Sequence, residues 1–137
     1  QTERALQAFD AAIALQREVG DVQSEATARA NLGMMLMNQG HFARGSDTLL
    51  QVLALVHETG HRGLETVVRL NLGNAAGEQG RFEDALQHYG AALALARDTG
   101  SRRFEAGALT NLGYLHQLRG HADAARDAYG QALAMPA

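Results

Sequence analysis

The chain has 137 residues, of which 46% are hydrophobic and 20% are charged, a composition outside the range of disordered proteins. Its formal net charge of -3 offers no general attraction to nucleic acid or to an anionic membrane surface, so neither is an expected partner. The absence of cysteine excludes disulfides, thiolate zinc sites and cysteine nucleophiles and favours a cytoplasmic protein, and the twelve basic residues, all arginine, favour a GC-rich bacterial source.

Glycines divide the chain into segments of twenty residues. They form two series, each with a period of forty residues: Gly20, Gly60 and Gly100, and Gly40, Gly80 and Gly120. Just past a helix end, glycine adopts the left-handed conformation at little cost, and the apolar residues between these glycines have helical spacing. Each segment is therefore predicted to be one helix, which gives seven helices in all.

In chain order, residues 1–20 are predicted to be the second helix of an incomplete repeat. Complete helix-turn-helix repeats follow at 21–60, 61–100 and 101–137, in a single array. The triplet Asn-Leu-Gly marks the first helix of each repeat, at 31–33, 71–73 and 111–113. Because one helix pair buries only one face, stacked neighbours must complete the core. The unpaired first helix leads us to expect a piece of a longer array.

Each first helix carries a glycine in its interior, where glycine costs roughly 0.5 to 1 kcal/mol relative to alanine. We expect each of these glycines to face a small residue of the second helix, so that the two backbones approach closely. The expected pairs are Gly33 with Gly45, Gly73 with Ala85, and Gly113 with Ala125. Larger residues one turn further along, at Leu49, Tyr89 and Tyr129, are expected to fill the space between repeats.

The succession of Leu-Gly, Gly, Ala, an aromatic residue and Ala at these offsets resembles the tetratricopeptide repeat over the whole chain. The forty-residue spacing resembles the variant found in kinesin light chain, Pins-type polarity scaffolds and bacterial signal-transducing ATPase regulators. Arg29, Arg69 and Leu109 depart from the family pattern by replacing its usual tryptophan, and Gly45 replaces its usual alanine. The resemblance implies an all-α, right-handed superhelical solenoid of antiparallel helix pairs. It also implies a binding scaffold without cofactor, not an enzyme.

In this family, the first helices of successive repeats line a concave groove that binds peptide or protein segments. The candidate contacts here are Thr27, Asn31, Met34, Met37, Asn38, Leu70, Asn71, Asn74, Thr110, Asn111, Tyr114 and Gln117. The groove positions also include Ala30, Val67, Glu78 and Leu118. In related repeats the asparagine of the triplet contacts the peptide backbone, since a carboxamide can both donate and accept. With helices about 10 Å apart and a rise of roughly 3.3 Å per residue, each asparagine would meet about every third peptide residue.

Alternatives remain for these residues and for the function. The asparagines could recur only through duplication, each satisfied by a local hydrogen bond or by water, and Met34 and Met37 could pack against a neighbouring helix. A second hypothesis for the whole chain is a structural or sensory arm of a larger bacterial multidomain regulator, which relays ligand binding or sets the oligomeric state. The open ends of an array also favour self-association.

One string matches a catalytic motif: His57-Glu58-Thr59-Gly60-His61 has the His-Glu-x-x-His spacing of zinc proteases. That chemistry needs both histidines one turn apart on a continuous helix. Gly60 belongs to the series of turn glycines, so we expect the helix to end between the two histidines. The sequence therefore predicts no metal site and no catalytic centre here.

Overall fold

The computed structural model describes residues 2–135, apart from the side chains at positions 18, 19 and 58. Seven α-helices account for almost all of this range, and no strand occurs within it. They are α1 (Thr2–Val19), α2 (Val22–Asn38), α3 (Phe42–Thr59), α4 (Arg62–Glu78), α5 (Phe82–Thr99), α6 (Arg102–Leu118) and α7 (Ala122–Ala134). The all-α class and the seven helices are confirmed. Among the helices within residues 2–135, none combines the length and hydropathy that a membrane-spanning segment needs.

Glycine ends every helix from α1 to α6, as the sequence predicts. The six glycines of the two series have positive φ angles between 68° and 82°, and no other residue type in the described range does. In α3 and α5 this glycine is the helix cap itself, and its backbone N–H donates to the carbonyl four residues earlier. Any residue with a β-carbon would be strained at these φ angles, which explains why glycine recurs at a fixed period.

Side chains at one repeated position cap the first helices. Asp21 accepts the backbone N–H of Ser24 at 3.0 Å, and Ser101 accepts that of Phe104 at 3.4 Å. His61 occupies the same position, directly after the turn glycine Gly60, and its Nδ1 accepts the backbone N–H of Leu64 at 3.1 Å. Hydrogen bonds from the hydroxyl and then the backbone N–H of Ser24 hold the pKa of Asp21 below its ordinary value. Each first helix thus has one of its unpaired N–H groups satisfied.

The molecule divides into two compact units, and the division falls within α4. The first unit reaches as far as Val68 and the second begins at Arg69. In the first unit, α2 packs against both α1 and α3. Its core at the α1–α2 contact is formed by Ile13, Leu32 and Leu36, with Leu6, Phe9, Ala28 and Met35 packed around them.

The second unit contains the last part of α4 together with α5, α6 and α7. Here α6 packs against both α5 and α7. The central cluster draws on three helices, with Ala76 from α4, Ala85 and Tyr89 from α5, and Leu115 from α6. Four partly buried residues surround this cluster: Leu70, Phe82, Leu86 and Leu112.

The interior glycines of α2, α4 and α6 make the close contacts that offset their cost, but not all in the expected way. A β-carbon at Gly45 would lie 3.0 Å from the carbonyl oxygen of Gly33, which confirms the close approach of α2 and α3. In all three repeats the nearest atoms to a β-carbon on the interior glycine belong to the larger side chain of the second helix: Leu49 at Gly33 (2.7 Å), Tyr89 at Gly73 (2.5 Å) and Tyr129 at Gly113 (2.7 Å). That Ala85 and Ala125 also face Gly73 and Gly113 stays a prediction. Each tyrosine ring lies on the glycine of its own repeat and fills the space that the absent side chain leaves.

Candidate functional site

The outward face of α2 is mostly polar. Thr27, Asn31 and Asn38 are exposed, and Met34 is half-buried. The Thr27 hydroxyl donates to the Gln23 carbonyl at 3.1 Å within the helix. A shallow depression on this face is lined by Asp21, Gln23, Ser24, Thr27, Ala28 and Asn31. Within residues 2–135, the side-chain amide of Asn31 takes part in no hydrogen bond, so its donor and acceptor are both available.

Met37 differs from the other candidates of α2 because it lies inside the helix pair. Only 8% of its surface is exposed, and its Cγ would be 2.7 Å from a β-carbon at Gly45. The missing side chain of Gly45 leaves the space that the methionine fills. This contact matches the alternative in which Met37 packs against a neighbouring helix, and Met37 takes no further part in the candidate surface.

The part of α4 in the second unit carries three of the candidates, each in a different environment. Leu70 packs against the core cluster, Asn71 is half-buried, and Asn74 is exposed. The hydroxyl of Tyr89 donates to Oδ1 of Asn74. Burial, and then the negative charge of Glu78, raise the pKa of Tyr89 to about 12, so the phenol remains a proton donor at neutral pH. Asn74 is thus held from behind by a core tyrosine, while its amide nitrogen remains a donor.

On α6, the outward face is partly apolar. Tyr114 is 58% exposed and Leu118 is 53% exposed, one helical turn apart. Thr110 lies one turn before them, exposed, with its hydroxyl donating to the Ala106 carbonyl at 2.9 Å. Asn111 is half-buried, and within residues 2–135 its side-chain amide has no hydrogen bond. The exposed apolar pair and the unbonded amide share one face of the helix.

Gln117 repeats the arrangement of Asn74 with a longer side chain. The Tyr129 hydroxyl donates to Oε1 of Gln117 at 3.1 Å. Tyr129 lies on Gly113 as Tyr89 lies on Gly73, so both rings anchor a carboxamide of the first helix. Sequence reasoning missed these two bonds. The sequence did contain a signal for them: Tyr89 and Tyr129 occupy the position at which the first complete repeat has Leu49.

A polar network on the first unit was also missed. The carboxylate of Glu25 is buried and pairs with Arg29 Nε at 2.9 Å and with Arg17 Nη2 at 3.5 Å. Arg29 Nη1 in turn donates to Gln51 Oε1 at 2.5 Å. These side chains join α1, α2 and α3, and together with Ala54 and Leu55 they line a second depression. Every charge of the network has a partner within it, so the network connects the three helices and leaves no charge unpaired.

The same network recurs eighty residues later in the second unit. Arg97 Nε pairs with Glu105 Oε2 at 2.9 Å, and Arg97 Nη2 donates to Gln131 Oε1 at 3.3 Å. Leu109 stands where the first unit has Arg29, so Arg97 reaches the glutamine directly. The sequence shows that this arginine, glutamate and glutamine each recur after eighty residues. It does not show that the three side chains meet, because that depends on how three helices pack.

The His-Glu-x-x-His string has no catalytic geometry. The helix α3 ends at Thr59, and Gly60 follows with a φ of 68°, so His57 and His61 do not share a continuous helix. His61 instead uses Nδ1 to cap α4. Among the described residues, no group of three potential metal-ligating side chains comes together. The predicted break between the two histidines is confirmed.

Comparison with known protein families identifies the family to which the chain is similar. A family model described as tetratricopeptide repeat matches residues 24–98 and, in a second overlapping match, residues 64–136. No curated protein matches the chain. The two matches together extend from residue 24 to residue 136, over most of the sequence, and coincide with the helix-turn-helix units of the structure. The chain therefore belongs to the tetratricopeptide repeat family.

Proposed function

We propose that the chain is a protein-interaction scaffold that binds a peptide or protein segment of a partner in the concave groove that first helices line in this family. Tetratricopeptide repeats generally mediate protein–protein interactions. The observation that carries the proposal is the asparagine of the Asn-Leu-Gly triplet. At Asn31 and Asn111 its side-chain amide has no hydrogen bond within residues 2–135, although it lies on an otherwise well-packed helix.

Such an amide suits the backbone of an extended segment. Its N–H group can donate to a peptide carbonyl while its oxygen accepts a peptide N–H, without regard to the side chains of the segment. Each such bond contributes about 1 kcal/mol, so several are needed for stable binding. Asn74 and Gln117 support this surface from the side, since Tyr89 and Tyr129 already engage their oxygens. Tyr114 adds an aromatic contact of the kind that dominates binding energies.

A second candidate function is a structural or sensory arm of a larger bacterial multidomain regulator. Leu133 favours it, because this leucine is 87% exposed and lies on α7, the second helix of its repeat, and not on a first helix. An apolar side chain so exposed is suited to being covered by a neighbouring domain or a second copy of the chain. Self-association in solution would belong to this function.

The experiment that tests the first proposal is a selection of peptides from a random library on the immobilised protein. Affinities of the selected peptides are then measured by calorimetry for the wild type, Asn111→Ala, and the double variant Asn71→Ala, Asn111→Ala. We expect about tenfold weaker binding for the single variant and no measurable binding for the double variant. Gln87→Ala removes an exposed carboxamide from α5 and serves as the control.

Equal affinity of all variants would remove the asparagines from the binding surface. A selection that enriches no peptide would contradict groove binding and favour the structural arm. Circular dichroism of each variant verifies that helix content is unchanged, so that lost binding is not lost folding.

A further inference from the structure

We infer that the second unit selects partner segments in which a basic side chain lies close to a bulky apolar one, an inference that rests on the proposed function. The surface concerned consists of Asn74 and Glu78 of α4 and Tyr114 and Leu118 of α6, and is called the α4–α6 surface. It brings an exposed carboxylate next to an exposed apolar pair. Neither feature is found at the equivalent positions of α2, which are Met34 and Asn38.

The two helices that carry the α4–α6 surface share one core cluster, in which Ala76 of α4 and Leu115 of α6 are both buried. Because the repeat has a period of forty residues, Asn74 and Tyr114 occupy equivalent positions of the two helices, and so do Glu78 and Leu118. Packed helices lie about 10 Å apart, which puts the carboxylate of Glu78 within reach of the same bound segment as the apolar pair.

The apolar half is large for an exposed surface. Tyr114 and Leu118 expose 58% and 53% of their area, and their spacing of four residues aligns them along one edge of α6. At the same positions α4 has Asn74 and Glu78, so the apolar pair is a property of this helix and not of the repeat. An aromatic ring next to a leucine offers a contact for a bulky apolar side chain.

In the acidic half, the carboxylate of Glu78 lies in an electrostatically unfavourable place, which a bound cation would relieve. It is the last residue of α4, where the negative end of the helix dipole disfavours a carboxylate, and the last turn has no basic residue. Its side chain is exposed, and within residues 2–135 it forms no ion pair. The same carboxylate contributes to the raised pKa of Tyr89, which places it near the Tyr89–Asn74 hydrogen bond.

The arginines that follow these helices are engaged elsewhere. Arg119, just past α6, pairs with Glu83 at 3.1 Å, and Arg81, just past α4, pairs with Asp84 at 3.5 Å. A basic side chain of a bound segment would therefore meet Glu78 without competition from these two. It would also relieve the unfavourable interaction of Glu78 with the helix dipole.

The spacing of the two halves sets the spacing in the partner. Helices about 10 Å apart correspond to roughly three residues of an extended segment, at about 3.3 Å per residue. The preferred segment thus has arginine or lysine up to about three residues from a leucine, phenylalanine or similar side chain. A segment with an acidic residue at that position is disfavoured by repulsion from Glu78.

The test repeats the random-peptide selection with four baits: the wild type, Glu78→Arg, Leu118→Ala and the control Asp127→Asn, which removes an exposed carboxylate from α7. The wild type and Asp127→Asn should enrich basic residues near a bulky apolar one, whereas Glu78→Arg should enrich acidic residues there. Leu118→Ala should lose the apolar preference. For a selected peptide, Glu78→Gln should weaken binding about threefold at low salt and by less at high salt.

The outcomes separate this inference from the proposed function. Two results would overturn the selectivity and leave the scaffold function intact. In the first, peptides bind through the asparagines but show no charge preference. In the second, Glu78→Arg enriches the same charges as the wild type. If no bait enriches any peptide, the proposed function fails, and the selectivity fails with it. Glu78 is exposed at a helix end, so its variants are expected to fold normally.

Discussion

Replacement of Gly73 by alanine should destabilise the second unit, although alanine is the better helix former. The new β-carbon would lie 2.5 Å from Cε1 and 2.6 Å from Cδ1 of Tyr89. The ring cannot easily retreat, because it is only 6% exposed, belongs to the core cluster and bonds to Asn74. Overpacking of this kind costs about 1 to 3 kcal/mol, against a gain of about 1 kcal/mol in helix propensity. The difference is a net loss of up to about 2 kcal/mol.

Gly77→Ala, one turn later on α4, is the matched control. A β-carbon at Gly77 would meet nothing within 4 Å, so only the helix propensity changes. We expect this variant to be more stable than the wild type by about 0.5 to 1 kcal/mol. Urea unfolding followed by circular dichroism measures both variants, and the two midpoints should move in opposite directions.

A double-variant experiment attributes the loss to the ring. In a Tyr89→Ala background the obstacle to a β-carbon at position 73 is gone, so Gly73→Ala should become neutral or stabilising. If Gly73→Ala is stabilising in the wild-type background too, the ring does not lie on the glycine and the account of the helix contact is wrong.

Three further predictions concern single side chains. Burial, and then Arg69, lower the pKa of His88 below its ordinary 6.5, so the unfolded chain binds this proton more readily. The stability that His88 contributes is therefore present above pH 6.5 and is lost as the pH falls from there through the lower pKa of the folded state. When the urea midpoint is plotted against pH, His88→Gln should flatten this part of the curve. In an ultraviolet titration, one tyrosine should ionise near pH 12, and Tyr89→Phe should remove that step. Ser101→Ala removes the cap on the Phe104 N–H and should cost about 1 kcal/mol in urea unfolding, whereas an unchanged midpoint would show that the cap is not needed.

The fold was largely predictable because glycine leaves a strong signal. A left-handed turn residue such as Gly60 tolerates few replacements, so the helix ends could be predicted from the sequence, and with them the failure of the zinc-protease motif. The contacts inside each helix pair were less predictable. Periodicity shows that Gly73 faces the second helix, but that the ring of Tyr89 lies on it depends on the rotation of α5 and on the direction of the tyrosine side chain.

The candidate surface was predictable in position but not in the partners of its side chains. The register identified the outward residues of α2, α4 and α6. It did not show that Met37 fills the space left by Gly45, or that Tyr89 holds Asn74. Both depend on the length of one side chain and on a gap left by another, which a repeat pattern does not specify. The hydrogen bond of Tyr129 to Gln117 was hidden for the same reason.

Constant and variable positions of the repeat have separate tasks. The Asn-Leu-Gly triplet combines an outward amide with a leucine and a glycine that pack inward, so the backbone of each first helix is held while one polar group remains on the surface. Three residues after the asparagine, the side chain lies on the same outward face and its chemistry varies: Met34, Asn74 and Tyr114. Because the amide is common to all repeats, it cannot discriminate between partner segments. Selectivity must therefore come from the variable positions, where Glu78 and Leu118 give neighbouring helices opposite character.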